Sequence, residues 1–196
     1  MKKPIYKRIW FWAIIIVVAL FIAGSAGSSD DEDKKDDAPK QETQQTESQV
    51  KKEDTKEEAI TADKAINGMM QAAMKQYDEL NDVILQGEDM PSIYVKAEKV
   101  SDTINKLDTN IKNKWKSDTR TEYLEAASDL CLMMRGYAMD ISSYAQDTTN
   151  LEAFKTAQET LNAMDSFISV YANERNNYLT KCGLSESEIA ALNEES

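Results

Sequence analysis

The side chains in this 196-residue chain that could do chemistry are unevenly stocked: 35 Asp or Glu, two Cys and no His. Without histidine the Ser-His-Asp and Cys-His machines cannot be assembled, and neither can the usual imidazole zinc sites. A di-iron bundle is excluded for the same reason, since its Glu-x-x-His motif needs the imidazole. Cys131 and Cys182 stand 51 residues apart, a spacing that fits neither a metal knuckle nor a disulfide framework. Carboxylates are abundant, but no spacing singles out a pair suited to glycoside hydrolysis. No Gly-rich phosphate loop and no nucleophile elbow occurs. The expectation is therefore no catalytic residue, no cofactor and no metal. The formal net charge of -12 also makes nucleic acid, whose phosphates need cations, a poor partner.

Binding chemistry is better represented. Eight of the nine methionines fall after residue 58, and Met-rich surfaces adapt to apolar helices and peptides. Met69 and Met133 lie one position off the apolar stripes described below. With Met134, Arg135 and Tyr137 they form the candidate groove for a ligand or partner. Arg135 is expected to pair with a carboxylate such as Asp82 or Asp165, because a buried Arg needs a counter-charge. Gly68 and Gly136 fall inside helical patterns, where they would permit close helix approach.

The elements that must position these residues are helices. Ile66, Met70, Ala73, Tyr77, Leu80 and Ile84 recur at 4-3-4-3-4, as do Ile93, Ala97, Val100, Ile104, Leu107 and Ile111. Tyr123, Ala127, Leu130, Met134, Tyr137, Ile141 and Tyr144 repeat the pattern. Leu151, Phe154, Gln158, Leu161, Met164, Ile168, Tyr171 and Tyr178 continue it, with Arg175 at one stripe position. This spacing predicts helices near 60–86, 91–116, 119–146 and 150–181, with a short one at 186–193. Thr55 with Glu58, Thr119 with Glu122 and Thr149 with Glu152 match the Thr-x-x-Glu capping box, so the first helix can begin at Thr55. Ser185 with Glu188 suits the last helix, and Gly87 suits a C-cap. Short loops favour antiparallel neighbours, and sustained 3-4 spacing favours a compact bundle over an extended dimeric coiled coil, whose seam would repeat Leu. In such a hairpin Cys131 and Cys182 lie roughly 24 Å apart along the axis, too far for a bridge. Cys131 is expected to be a buried apolar side chain, and Cys182 a free thiol or an intermolecular link.

Charge divides the chain further. Residues 1–8 carry +4 and residues 30–58 carry -6, leaving -10 for residues 59–196. No charge occurs from Ile9 to Ser29, and Trp10 to Ala23 is almost wholly apolar. As a helix this run reaches roughly 30 Å, one hydrocarbon core, and the basic flank predicts the N-terminus inside. Two readings fit: an uncleaved signal anchor, favoured by the aromatic cluster Trp10, Phe11 and Trp12 at its inner end, and a signal peptide cleaved in Ala23-Gly24-Ser25-Ala26-Gly27. Residues 30–58 lack aromatic and nearly all large aliphatic side chains, and are expected to form a disordered acidic tether.

The start resembles the leader of many small membrane-anchored surface proteins of Gram-positive bacteria, which open Lys-Lys-Pro-x-Tyr-Lys-Lys-x-Trp-Phe-Trp. Lys2, Lys3, Pro4, Tyr6, Lys7, Trp10, Phe11 and Trp12 carry the match, with Arg8 replacing a Lys. The resemblance covers residues 1–30 and implies a surface location, not an activity.

The expected protein is all-α: a cytoplasmic stub at 1–8, a transmembrane helix at 9–29, a linker at 30–58 and an antiparallel bundle of about four helices at 59–196. Its expected partners are the lipid bilayer, through residues 9–29, and an extracytoplasmic protein, peptide or wall component. The alternative is a small-ligand sensor or carrier with its site between helices.

Overall fold

The computed structural model describes residues 54–194. The expected anchor, and the expected linker up to residue 53, lie outside them. Five helices follow one another: α1 (Lys56–Leu85), α2 (Met90–Lys114), α3 (Thr121–Gln146), α4 (Leu151–Lys181) and α5 (Glu186–Glu194), with no strand among the described residues. The all-α bundle expected from the stripes is what forms.

Helix starts depend on which side chain reaches the free amides of the first turn. Thr55 and Glu58 form the predicted box, with both reciprocal bonds in place. Asp89 accepts from the Ser92 amide, and Pro91 occupies the first turn of α2, where its missing N–H is no loss. The other two predicted boxes do not form. Thr119 hydrogen-bonds Ser117, and α3 starts behind Arg120 with no side-chain cap. At α4 the cap is Asn150, whose carbonyl accepts from the Ala153 amide, while Thr149 turns back to Asp147. Asn is the stronger cap and stands one residue nearer the helix, so it displaces Thr149.

Helix ends follow the glycines. Gly87 (φ 70°) and Gly183 (φ 85°) adopt the left-handed conformation that terminates α1 and α4. At each, two amides fold back onto the last turn: Gly87 and Glu88 onto Ile84 and Val83, Gly183 and Leu184 onto Thr180 and Leu179. Leu179 and Leu184 are buried, which adds the hydrophobic contact typical of this stop.

The helices alternate in direction. Lys96 meets Glu79 across α1 and α2 at 2.6 Å. Ser142 donates to Glu98 across α2 and α3, and the rings of Tyr144 and Phe154 lie 5.0 Å apart across α3 and α4. Arg175 and Tyr171 of α4 bond Asp63 and Asn67 of α1, closing the ring of helices. α1 also lies against α3, running parallel to it. One end of the bundle, the root, holds the starts of α1 and α3, the ends of α2 and α4, and α5. The opposite end, the tip, holds the α1–α2 and α3–α4 turns.

A continuous core runs between root and tip, including Ile66, Met70, Leu80, Ile104, Leu130 and Met134. Each such side chain contributes about 1.5–3 kcal/mol by leaving water. The stripe of α4 differs from expectation. Its buried positions are Ala153, Ala157, Met164, Tyr171, Arg175, Tyr178 and Leu179, while Leu151, Phe154 and Leu161 are exposed. The glycines differ as well: a Cβ at Gly68 or Gly136 would meet nothing within 4 Å, so neither marks a close helix approach within the bundle. Among the described residues no helix is long and apolar enough to cross a membrane.

Candidate functional site

The five residues of the predicted groove do not share one surface. Met134 is buried in the core. Tyr137 is buried too, its ring 5.2 Å from that of Tyr77 and its hydroxyl donating to Asn81 at 2.6 Å. Met133 and Met69 are half-buried against the core. Met133 lies one turn before Tyr137, on the same flank of α3. Arg135 falls on another flank, two turns before Ser142, the residue that bonds α2. The expected Arg135 ion pair is not found among the described residues, and its buried Nε has no hydrogen-bond partner. Met70, Met134 and Met164 fill core space as flexible side chains do.

The thiols stay separate. Cys131 is buried with its Sγ 3.6 Å from the Met70 Sδ, and Cys182 is half-buried at the end of α4, with no disulfide between the two. Burial pushes the Cys131 thiol up to about 12, with Asp108 adding to the effect, so it remains protonated and unreactive.

The densest polar chemistry lies at the root, where composition alone gives no motif. Asp63 of α1 is fully buried, and Arg175 of α4 grips it with two bonds, Nε to Oδ1 at 2.7 Å and a terminal nitrogen to Oδ2 at 2.6 Å. The Tyr123 hydroxyl donates to the same Oδ1 at 3.0 Å. Tyr171 donates to Asn67 at 3.0 Å, and Arg175 also bonds Asn193 of α5. A second cluster sits beside the first. Asp54, just before α1, accepts from Arg120 at 2.7 and 3.0 Å and from Tyr178 at 2.7 Å. The Tyr123 and Tyr178 rings stack 5.5 Å apart and join the two clusters.

Electrostatics make this a clamp. Burial raises the phenols of Tyr123, Tyr171 and Tyr178 well above their ordinary range, so they are neutral donors and not bases. Burial also acts to raise the Asp54 carboxyl, but bonds from Tyr178, Thr119 and Arg120 outweigh it and hold the group below its usual value. Every charge here is answered from within the chain. The arrangement fixes the first described residue, three long helices and α5 to one another. Arg175 at a stripe position is the sequence signal for it, because a charge on a buried face must find its opposite.

Two surface clefts open near the root. One, about 320 Å³, is lined by Glu57, Glu58, Thr61, Trp115 and Arg120. The other, about 540 Å³, lies between α2 and α3, with Lys112, Lys116, Glu125, Asp129 and Leu132 on its walls. Both are open to solvent. Among the described residues no group of His, Cys, Asp or Glu is arranged to hold a metal ion. No family model, no curated protein and no solved structure matches the chain.

Proposed function

We propose that the chain is a membrane-tethered, extracytoplasmic helical bundle that presents a binding surface to a protein, peptide or wall component. The single observation that carries the reading is the root clamp. Asp54 ties the point where the preceding chain arrives to α3 and α4, so the bundle is rigid from its first described residue. A bundle braced at the end where the preceding chain arrives suits display. The charge-free run from Ile9 to Ser29, its basic flank and the leader resemblance support the anchor. The acidic surface supports solubility outside the membrane.

The sensor or carrier alternative needs room between helices. The axis is instead filled by Ile66, Met70, Leu130, Met134 and their neighbours, and no observation favours an internal ligand.

Fractionation of cells producing the chain with a C-terminal epitope tests the tether. The epitope is expected in the membrane pellet, resistant to salt and alkaline washing and released by detergent. Recovery of full-length chain in the soluble cytosol would refute the proposal.

A further inference from the structure

Exposed apolar side chains on this bundle are concentrated where cations are few. No Lys or Arg occurs from Asn81 to Val95 or from Gly136 to Phe154, stretches that include both tip turns; Lys96 and Lys155 stand just beyond them, paired with Glu79 and Glu159. Those stretches nonetheless hold six of the nine exposed large hydrophobics among the described residues: Leu85, Met90, Val95, Met139, Leu151 and Phe154. Leu85 is 75% exposed, Leu151 67% and Val95 64%. Single exposed Leu or Val residues need no explanation, but their collection at one end does. Glu88 and Asp89 in one turn, and Asp147 and Glu152 beside the other, are all exposed at the same end. The root differs, with Lys56, Lys112, Lys114, Lys116, Arg120 and Lys181 interspersed among its acids.

We infer that the tip is a docking surface for a cationic amphipathic peptide segment, whose apolar face covers Leu85, Met90 and Leu151 and whose Lys or Arg side chains meet the surrounding acids. This names the partner class within the display reading and rests on it. Charge complementarity selects the occupant: a second copy would set acid against acid, and an anionic lipid surface would be repelled. The frame suits the task. The Gly87 stop and the Asn150 cap fix both turns, so the apolar side chains are held in place without a partner.

The test uses the full chain in zwitterionic nanodiscs and a short fluorescent helical peptide of Leu and Lys, read by anisotropy against empty nanodiscs. Binding is expected to weaken at least about tenfold in Leu85→Ser/Leu151→Ser, and comparably in Glu88→Lys/Glu152→Lys. Leu132→Ser, on the cleft near the root, is expected to bind as the unmodified chain does. All these positions are exposed, and circular dichroism checks that the fold is kept. Equal binding by the tip variants, loss with Leu132→Ser, equal capture of a Leu/Glu peptide, or signal from empty nanodiscs alone would overturn the inference. The readout does not depend on which side of a membrane the bundle faces. A negative result therefore removes the docking surface and leaves the tether standing, and failed fractionation with intact binding does the reverse.

Discussion

Arg175 spans from α4 to α1 and places two nitrogens on the two oxygens of Asp63, at 2.7 and 2.6 Å, with both side chains buried. Two helices far apart in sequence are thereby locked in one register. Taking ions from water is costly, so the pair is better evidence for a fixed arrangement than for net stability.

Removing one partner of that pair strands the other. Arg175→Met is expected to lower unfolding free energy by about 3–5 kcal/mol in urea titration, and Asp63→Leu similarly. The double variant is expected to lose less than the sum, since neither charge is then left buried alone. Additive losses would mean that the two groups are not coupled.

Acid sensitivity should trace partly to Glu188. Lys56, and then the Ser185 amide and hydroxyl, hold its carboxyl at about 2 against an ordinary 4.5. Because the folded value is the lower one, its contribution is complete above pH 4.5 and fades as pH falls toward about 2. Asp54 acts in the same direction, lost as pH falls through its depressed folded value. Glu188→Gln is therefore expected to be less stable than the unmodified chain at neutral pH, with the gap closing as pH falls through about 2. Denaturant titration across pH reads the gap, and a gap that persists in acid would contradict the assignment.

The two thiols should differ sharply. Iodoacetamide on the native chain is expected to label Cys182 and spare Cys131, and denaturant to expose both. Peptide mapping under non-reducing conditions is expected to find no 131–182 bridge, and finding one would break the antiparallel pairing of α3 and α4.

Two glycines predict opposite outcomes. Gly136→Ala meets open space within a helix and is expected to stabilise by about 0.5–1 kcal/mol. Gly87→Ala forces a side chain into φ 70° and is expected to cost about 1–2 kcal/mol. Thermal unfolding of both separates a filler glycine from a helix stop.

Much of the fold is legible in the sequence because each long helix carries its own apolar stripe and three of the four connections carry a strong terminator or cap. Failures arise where two local signals compete. Thr149 matches a capping box, but the neighbouring Asn150 wins the amide. In α4 the large residues Leu151, Phe154 and Leu161 suggest a buried face, yet small Ala153 and Ala157 are the buried positions and the large side chains lie outside. The residues of the expected groove, Met69, Met133, Met134, Arg135 and Tyr137, are divided between core and surface for a geometric reason. Adjacent positions on a helix point in different directions, and residues 133 to 137 cover more than one face. The root clamp is legible only at Arg175. Its partners Asp63, Tyr123 and Asn193 are brought in by long-range packing, which no local pattern encodes.

Topology is the central claim, and site-directed labelling measures it most directly. In a Cys131→Ala/Cys182→Ser background, single cysteines are introduced as Lys3→Cys in the stub and Thr148→Cys in the exposed tip turn. Intact cells are treated with a membrane-impermeant maleimide. The account predicts labelling of Thr148→Cys on intact cells and of Lys3→Cys only after lysis. Protection of Thr148→Cys until lysis would place the bundle in the cytoplasm and contradict it.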